Sequence, residues 1–152
     1  MAKIHQLIVG ALDQLPEGNY DIYEVDGNSM QPSLCQGDKL LCKMTTIDEI
    51  IDNRIYVILV NRPELTDYRK NGIWVKRLQH RKGNGYINCK SDNKDTAEPY
   101  PTFRLKTLEV PEIWYPVMRM TFDMSDPNGV SMTSLMSWRE GLRCWRRNKT
   151  IN

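Results

Sequence analysis

Apolar and polar residues alternate in short runs along the central part of the chain. Alternation with a period of two, bounded by Gly, Asn, Asp or Pro, is typical of β-strands. Turn-forming segments such as Gly83-Asn84-Gly85 and Ser91-Asp92-Asn93 separate several of the runs. The pattern predicts a mainly β fold, a compact and mostly antiparallel domain. The seven predicted strands are Tyr20–Val25, Lys39–Lys43, Ile55–Val60, Ile73–Gln79, Tyr86–Lys90, Phe103–Leu108 and Ile113–Phe122.

Helical spacing replaces the alternation at the two ends of the chain. Apolar residues recur every three or four positions before Pro16-Glu17-Gly18, which predicts a short N-terminal helix ending near residue 15. A second set follows Asp126-Pro127-Asn128-Gly129 and predicts a C-terminal helix docked on the sheet or on a partner. We divide the chain into an N-terminal helix or arm (1–19), a β domain (20–125) and a C-terminal helix with a basic tail (126–152). The apolar positions are Ile4, Leu7, Ile8, Ala11 and Leu15 at one end and Met132, Leu135, Leu142 and Trp145 at the other.

Length and composition suit one globular domain, since the chain has 152 residues, of which 40% are apolar and 26% charged. No run approaches the roughly 18 consecutive apolar residues of a membrane span. The first residues lack the pattern of a signal peptide. We therefore expect a cytoplasmic protein without a membrane partner.

Cysteine and histidine are sparse and give no metal-binding pattern. The four cysteines, Cys35, Cys42, Cys89 and Cys144, include no C-x-x-C pair, so we expect reduced, structural thiols. The two histidines form neither a metal site nor a recognisable Ser/His/Asp set. No metal and no other cofactor is expected.

The net charge of +2 does not indicate nucleic-acid binding by the whole chain. The segment from Arg139 to Lys149 is basic, and we interpret it as a solvated helix face or tail. One N-terminal helix leaves no room for a helix-turn-helix reader, which needs at least two packed helices. Contact with DNA is expected only through a separate domain that this sequence lacks.

Ser29 follows a predicted strand in the segment Gly27-Asn28-Ser29-Met30-Gln31-Pro32. Gly27 permits a sharp turn that leaves neighbouring backbone N–H groups free beside the serine hydroxyl. Free N–H groups at that place are what a developing oxyanion requires. Because a serine nucleophile also needs a base, the segment alone does not establish chemistry.

Lys76 is the candidate base, because no histidine is suitably placed. Side chains two apart on a strand share a face, so Lys76 lies between Trp74 and Leu78 in a predominantly apolar strand. Poor solvation disfavours the ammonium form and favours the neutral amine that accepts a proton. A Ser/Lys pair then functions without histidine.

Three segments, in this order, resemble the LexA-like peptidase family, which includes phage repressors and UmuD-type polymerase accessory proteins. Gly27-Asn28-Ser29-Met30 with Gly37-Asp38 resembles the nucleophile motif, and Val75-Lys76-Arg77-Leu78 resembles the general-base strand. Ser91-Asp92-Asn93 followed by Tyr100-Pro101 resembles the turn after the next hairpin. Signal peptidases share the first two elements more distantly.

The resemblance implies a LexA/signal-peptidase-like β domain in which Ser29 is the nucleophile and Lys76 the general base. It places the Ser29 amide in the oxyanion hole, with Asn28 beside it, and Met30 at the cleft. Asp38 and Asp92 are expected to hold turns. The implied partners are a peptide segment of the same or another chain, which is the substrate, and a second copy in a homodimer.

Three functions follow as alternatives. The leading hypothesis is cleavage of its own or a partner's peptide bond in transcriptional regulation of a stress or prophage response. Self-cleaving relatives are cut at a small dipeptide upstream of the serine, whereas the similar pair here, Gly10-Ala11, is reversed and lies in the predicted helix. A non-cleaving dimerisation module of a repressor and a UmuD-like polymerase accessory subunit are the other readings.

Overall fold

The computed structural model describes residues 15–65, 72–95, 97, 100–122 and 130–134. These residues form a mainly β fold, as predicted, in which every strand pairing is antiparallel. Two short 3-10 helical turns, Ile47–Glu49 and Thr107–Glu109, accompany the sheet. The eight strands are β1 (Tyr20–Glu24), β2 (Lys39–Thr45), β3 (Arg54–Leu59), β4 (Ile73–Gln79), β5 (Tyr86–Lys90), β6 (Phe103–Lys106), β7 (Glu112–Phe122) and β8 (Val130–Ser134).

The strand order is β1-β2-β7-β3-β4-β5-β6, and β8 pairs with β7 outside this path. The long strand β7 lies between β2 and β3, although these two follow each other in the chain. It pairs with β2 along most of its length and with β3 near its start. β7 thereby joins the antiparallel pair β1–β2, whose connection contains Ser29, to β3 and its neighbour β4, which carries Lys76.

All seven predicted strands are present, with small differences at their ends. Leu108, expected at the end of β6, lies in a 3-10 turn with 90% of its surface exposed. The helix predicted after residue 129 was wrong for residues 130–134, which form β8. Val130-Ser131-Met132-Thr133 alternates with a period of two, and pairing with β7 supplies the hydrogen bonds of a strand. The remainder of both predicted terminal helices lies outside the described residues.

Two buried clusters form the core, and β3 contributes to both. Tyr56 and Ile58 belong to the first cluster, whereas Val57 belongs to the second. A strand buried on both faces is a continuous apolar run, as Ile-Tyr-Val-Ile-Leu is in β3. The second cluster includes Met30 and Leu34, which flank the Ser29 turn, so the core itself anchors this turn.

Among the described strands, β1 and β6 are the two ends of the sheet path, and the first part of β4 also has a free edge. β1 is an edge strand, and its Ile22 N–H donates to the Asp21 carboxylate at 2.8 Å. β4 pairs with β3 along its whole length but with β5 only through Arg77–Gln79. Among the described strands, residues 73–75 therefore have no partner on the second side. No helix within the described residues has the length and apolarity that crossing a membrane requires.

Candidate active site

Ser29 lies in a tight turn that begins where β1 ends. Gly27 has φ +89°, a conformation that favours glycine, and it reverses the chain ahead of the serine. Met30 is 1% exposed and fixes the turn in the core, while the Leu34 N–H donates to the Met30 carbonyl at 2.9 Å. No described residue accepts a hydrogen bond from the Ser29 N–H. The local structure presents the hydroxyl and leaves this amide available.

Lys76 of β4 reaches the serine hydroxyl directly. Its Nζ lies 2.8 Å from Ser29 Oγ and 2.9 Å from Ser91 Oγ. The lysine is 9% exposed, and the Tyr100 ring centroid lies 5.8 Å from Nζ. Burial and two hydroxyl neighbours hold the amine at the serine, where a neutral amine is able to accept its proton.

The Ser91 hydroxyl is a member of the site that sequence reasoning missed. The predicted turn Ser91-Asp92-Asn93 was assigned no contact with Lys76. The pairing of Arg77 with Lys90, continued by one residue, places Ser91 opposite Lys76. The position of the Gly83-Asn84-Gly85 turn sets the register between β4 and β5, and this register would have predicted that Ser91 lies opposite Lys76.

Asp92 connects the turn after β5 to the segment that follows Ser29. It accepts hydrogen bonds from Arg77 Nε at 2.7 Å and from the Ser33 hydroxyl at 2.5 Å. The Arg77 hydrogen bond, more than that of Ser33, lowers the pKa of Asp92 below its usual range. Asp92 therefore stays ionised and braces two loops across the site.

Asn93 and Asp38 fix the backbone around Ser29. The Asn93 N–H donates to the Ser29 carbonyl, and Asn93 Nδ2 donates to the Asn28 carbonyl, both at 2.9 Å. Buried Asp38 accepts from the Cys35 N–H at 2.9 Å. The exposed side chain of Asn28 accepts from Gln31 Nε2 at 3.2 Å, so this amide helps to order the turn.

A groove of about 620 Å³ runs past Ser29 and Lys76. Met30 is among the residues that line it, and Glu24, at the end of β1, and Asp26 supply negative charge. Backbone segments with free edges, β1 and the first part of β4, form part of its walls. The other lining residues are mostly apolar: Ile22, Tyr23, Val25, Leu65, Ile73, Trp74, Val75, Tyr100 and Phe103.

The buried cysteines are poor alternatives as nucleophiles. Cys89 is fully buried, and burial raises the pKa of its thiol to about 12 against a smaller lowering effect of Lys76. Burial also raises the pKa of Cys42, with a further contribution from Asp21. Both thiols remain protonated at neutral pH, whereas a reactive cysteine is a thiolate.

Comparison with protein families assigns the class of this domain. Residues 4–109, more than half of the chain, match the family model described as Peptidase S24-like. The chain therefore belongs to the peptidase family of the C-terminal domains of LexA, UmuD and phage repressors, as the motifs predicted. No curated protein and no solved structure matched in the same comparisons.

Proposed function

We propose that this protein is a serine peptidase in which Ser29 attacks a peptide bond and Lys76 is the general base. The observation that carries the proposal is the 2.8 Å distance between Lys76 Nζ and Ser29 Oγ at the wall of an open groove. Membership of the peptidase family supports the same chemistry. The two residues come from separate segments of the chain, and the short distance between their side chains is what supports a joint role.

In the proposed first step, neutral Lys76 removes the hydroxyl proton as Ser29 Oγ bonds to the carbonyl carbon of the scissile peptide. The Ser29 N–H donates to the resulting oxyanion. The Lys76 ammonium then gives its proton to the leaving nitrogen, the C–N bond breaks, and an ester to Ser29 remains. Water, deprotonated by Lys76, hydrolyses the ester, and the proton returns to Ser29 Oγ.

Ser91 and Asn93 support this sequence by holding its participants in place. The Ser91 hydroxyl accepts from Lys76 Nζ and keeps the amine aimed at the nucleophile. The two hydrogen bonds of Asn93 keep the Ser29 turn at a fixed distance from the end of β5. Holding the amine and the hydroxyl in their reacting positions increases the rate, because these groups do not have to be reoriented during the reaction.

The substrate that fits the groove is an extended peptide segment. The Gly72 carbonyl accepts a hydrogen bond from the Val60 N–H, on the β3 side. Because the N–H and C=O groups of successive residues in an antiparallel strand point alternately to one neighbour and to the other, those of Ile73 and Val75 point away from β3. An added strand is able to pair with this free edge and pass its peptide bonds beside Ser29. β1 is the less suitable template, because Asp21 occupies the Ile22 N–H.

This proposal extends to the biological role that family membership favours. Cleavage of a segment of the same chain or of a partner would regulate transcription in a stress or prophage response. The protein would act in the cytoplasm as a homodimer, and a separate domain would supply sequence-specific DNA contact. Asn28 and Met30 would border the oxyanion site and the cleft.

Mass spectrometry of the purified chain at neutral and mildly alkaline pH tests the chemistry. The wild type should give a defined pair of fragments faster at the higher pH, because only the deprotonated amine accepts the serine proton. Ser29→Ala and Lys76→Ala should both stay intact. Lys90→Ala, which changes a lysine on the adjacent strand, should be cleaved like the wild type.

Cleavage in trans is tested by incubating the same proteins with a mixture of unstructured peptides and identifying new termini. Products that depend on both Ser29 and Lys76 support the peptidase. If the wild type cuts neither itself nor any peptide at either pH, or if Lys76→Ala retains full activity, the Ser/Lys mechanism is rejected. The non-cleaving assembly module would then be the better description.

A further inference from the structure

A second surface, separate from the groove at Ser29, lies at the β5–β6 end of the sheet, and its outer face carries exposed cationic side chains. In β6, Leu105 is buried, while Arg104 and Lys106 are exposed. The register pairs Tyr86 with Lys106 and Asn88 with Arg104. Because paired residues of antiparallel strands share a face, these side chains stand together on the outside.

The β4–β5 hairpin extends this surface with Arg81 and Lys82, both exposed. We call Arg81, Lys82, Tyr86, Arg104 and Lys106 the cationic hairpin face. It borders a hollow of about 360 Å³ that shares no residue with the groove at Ser29. The hollow is polar: Asp52, Gln79, His80, Arg81, Asn84, Tyr86, Asn88 and Arg104 line it.

The positive charge of this face is not neutralised locally. Among the described residues, no carboxylate lies within 4.0 Å of a cationic nitrogen of Arg81, Lys82, Arg104 or Lys106. Asp52 is the acidic residue that lines the hollow, and its carboxylate accepts the His80 backbone N–H at 2.8 Å. The Glu109 carboxylate accepts the Lys106 backbone N–H at 2.7 Å, so four cations stand against two carboxylates, and this excess favours a polyanionic partner.

One contact indicates bases as well as phosphates. The Arg104 guanidinium lies 4.2 Å from the centroid of the Tyr86 ring, which is 39% exposed. A guanidinium group and an aromatic ring are both platforms on which unpaired bases stack. Asn84 and Asn88 add amide donors and acceptors beside this platform. A rigid duplex keeps its bases stacked on each other, so a single strand is the better fit.

We propose that the cationic hairpin face binds single-stranded nucleic acid. Phosphates contact Arg81 and Lys82 on the hairpin and Arg104 and Lys106 on β6, and a base stacks on the Arg104–Tyr86 pair. Arg104 and Lys106 are two residues apart on a strand, about 7 Å along it, so the charges extend along a surface instead of converging on one point. Such an arrangement suits a chain of phosphates more than one small anion.

Fluorescence anisotropy with a labelled mixed-sequence oligonucleotide of 20 nucleotides tests this proposal on the full chain. Wild-type protein should bind the single strand more tightly than its duplex. Arg104→Gln combined with Lys106→Gln should weaken binding at low salt by about tenfold. Because two phosphate contacts are lost, the slope of log Kd against log salt should fall by about 1.4.

The basic segment near the C-terminus supplies a matched control, since Arg146→Gln combined with Arg147→Gln removes the same charge elsewhere. This control should bind like the wild type. Tyr86→Phe should also keep its affinity, whereas Tyr86→Leu should lose between about five- and one-hundred-fold through lost stacking. Thermal unfolding of each variant confirms that it is folded.

Several outcomes overturn the proposal. The cationic hairpin face is rejected if the wild type does not bind, or if the two double variants weaken binding equally, which indicates attraction by total charge. It is also rejected if only the C-terminal variant loses affinity. Equal binding of duplex and single strand, or full binding by Tyr86→Leu, rejects the stacking of a base on this face.

Discussion

The backbone N–H of Asn93 donates a hydrogen bond to the carbonyl oxygen of Ser29 at 2.9 Å. These two residues are far apart in the chain, and the contact joins the turn after β5 to the turn that contains Ser29. A second hydrogen bond, from the Asn93 side chain to the Asn28 carbonyl, adds to it. Since Ser91 of the same turn contacts Lys76, three consecutive residues organise the site.

Replacing Asn93 by alanine should therefore destabilise the fold as well as slow cleavage. Asn93 is 9% exposed, and the change leaves the Asn28 carbonyl without its side-chain donor. We expect the free energy of unfolding, measured with urea, to fall by about 1–2 kcal/mol. Asn88→Ala, an exposed asparagine on β5, should stay within about 0.5 kcal/mol of the wild type. Equal effects of the two changes would show that the contact with Asn28 is energetically neutral.

Asp92→Asn should lower stability in a way that depends on pH. Arg77, followed by Ser33, lowers the pKa of Asp92 in the folded state, so the carboxylate contributes stability above its unfolded pKa, about 3.9. That contribution is lost as the pH falls through the lower, folded-state pKa. We expect a cost of about 2 kcal/mol at pH 7 that shrinks in acid. Urea unfolding over a pH series, with exposed Asp48→Asn as the control, measures it, and a cost independent of pH contradicts this prediction.

Ser91→Ala should reduce the rate of peptide cleavage, because buried Lys76 loses one of the hydroxyl groups that hold its amine. We expect kcat to fall by about tenfold with KM little changed, which is less than the roughly 10²- to 10⁴-fold contribution of a general base itself, because Ser91 only positions that base. Ser91→Thr keeps a hydroxyl and should recover much of the rate. A larger effect on KM than on kcat would instead indicate that Ser91 contacts the substrate. No recovery of the rate by threonine would indicate that Ser91 only packs.

Thiol labelling should distinguish the exposed cysteine from the buried ones. In Cys144→Ser protein, Cys35 is exposed, while Cys42 and Cys89 are buried with raised pKa values. A thiol-specific reagent at pH 8 should modify Cys35 quickly and the other two only after unfolding. Peptide mapping identifies the labelled positions. Rapid labelling of Cys89 in folded protein would contradict the burial of this residue in β5.

Local patterning predicted the strands well because each is a short run, alternating or, in β3, continuously apolar, that is bounded by turn-forming residues. Val130–Ser134 also alternates, but Met132 matched a helical spacing with more distant apolar residues, and the wrong period was chosen. The position of β7 between β2 and β3 was not predictable in the same way. That pairing joins strands far apart in the chain, and no local pattern specifies it.

The residues of the site differ in the same way: some were predictable from local motifs, and others were not. Ser29 and Lys76 stand in local motifs, so the sequence alone suggested both residues. The contacts of Ser91, Asp92 and Asn93 depend on the register between β4 and β5 and on how close the Ser29 turn approaches. A turn-forming role was predicted for Asp92, but its ion pair with Arg77 required coordinates.

The Asp21–Ile22 contact on β1 has a consequence for how the protein behaves at high concentration. An uncovered strand edge is a template on which identical chains polymerise into fibrils. On β1, an approaching chain meets an N–H that a carboxylate already satisfies, and it brings its own carbonyls towards that negative charge. The carboxylate thus opposes the addition of a further strand to β1, which lowers the tendency of the protein to aggregate through this edge.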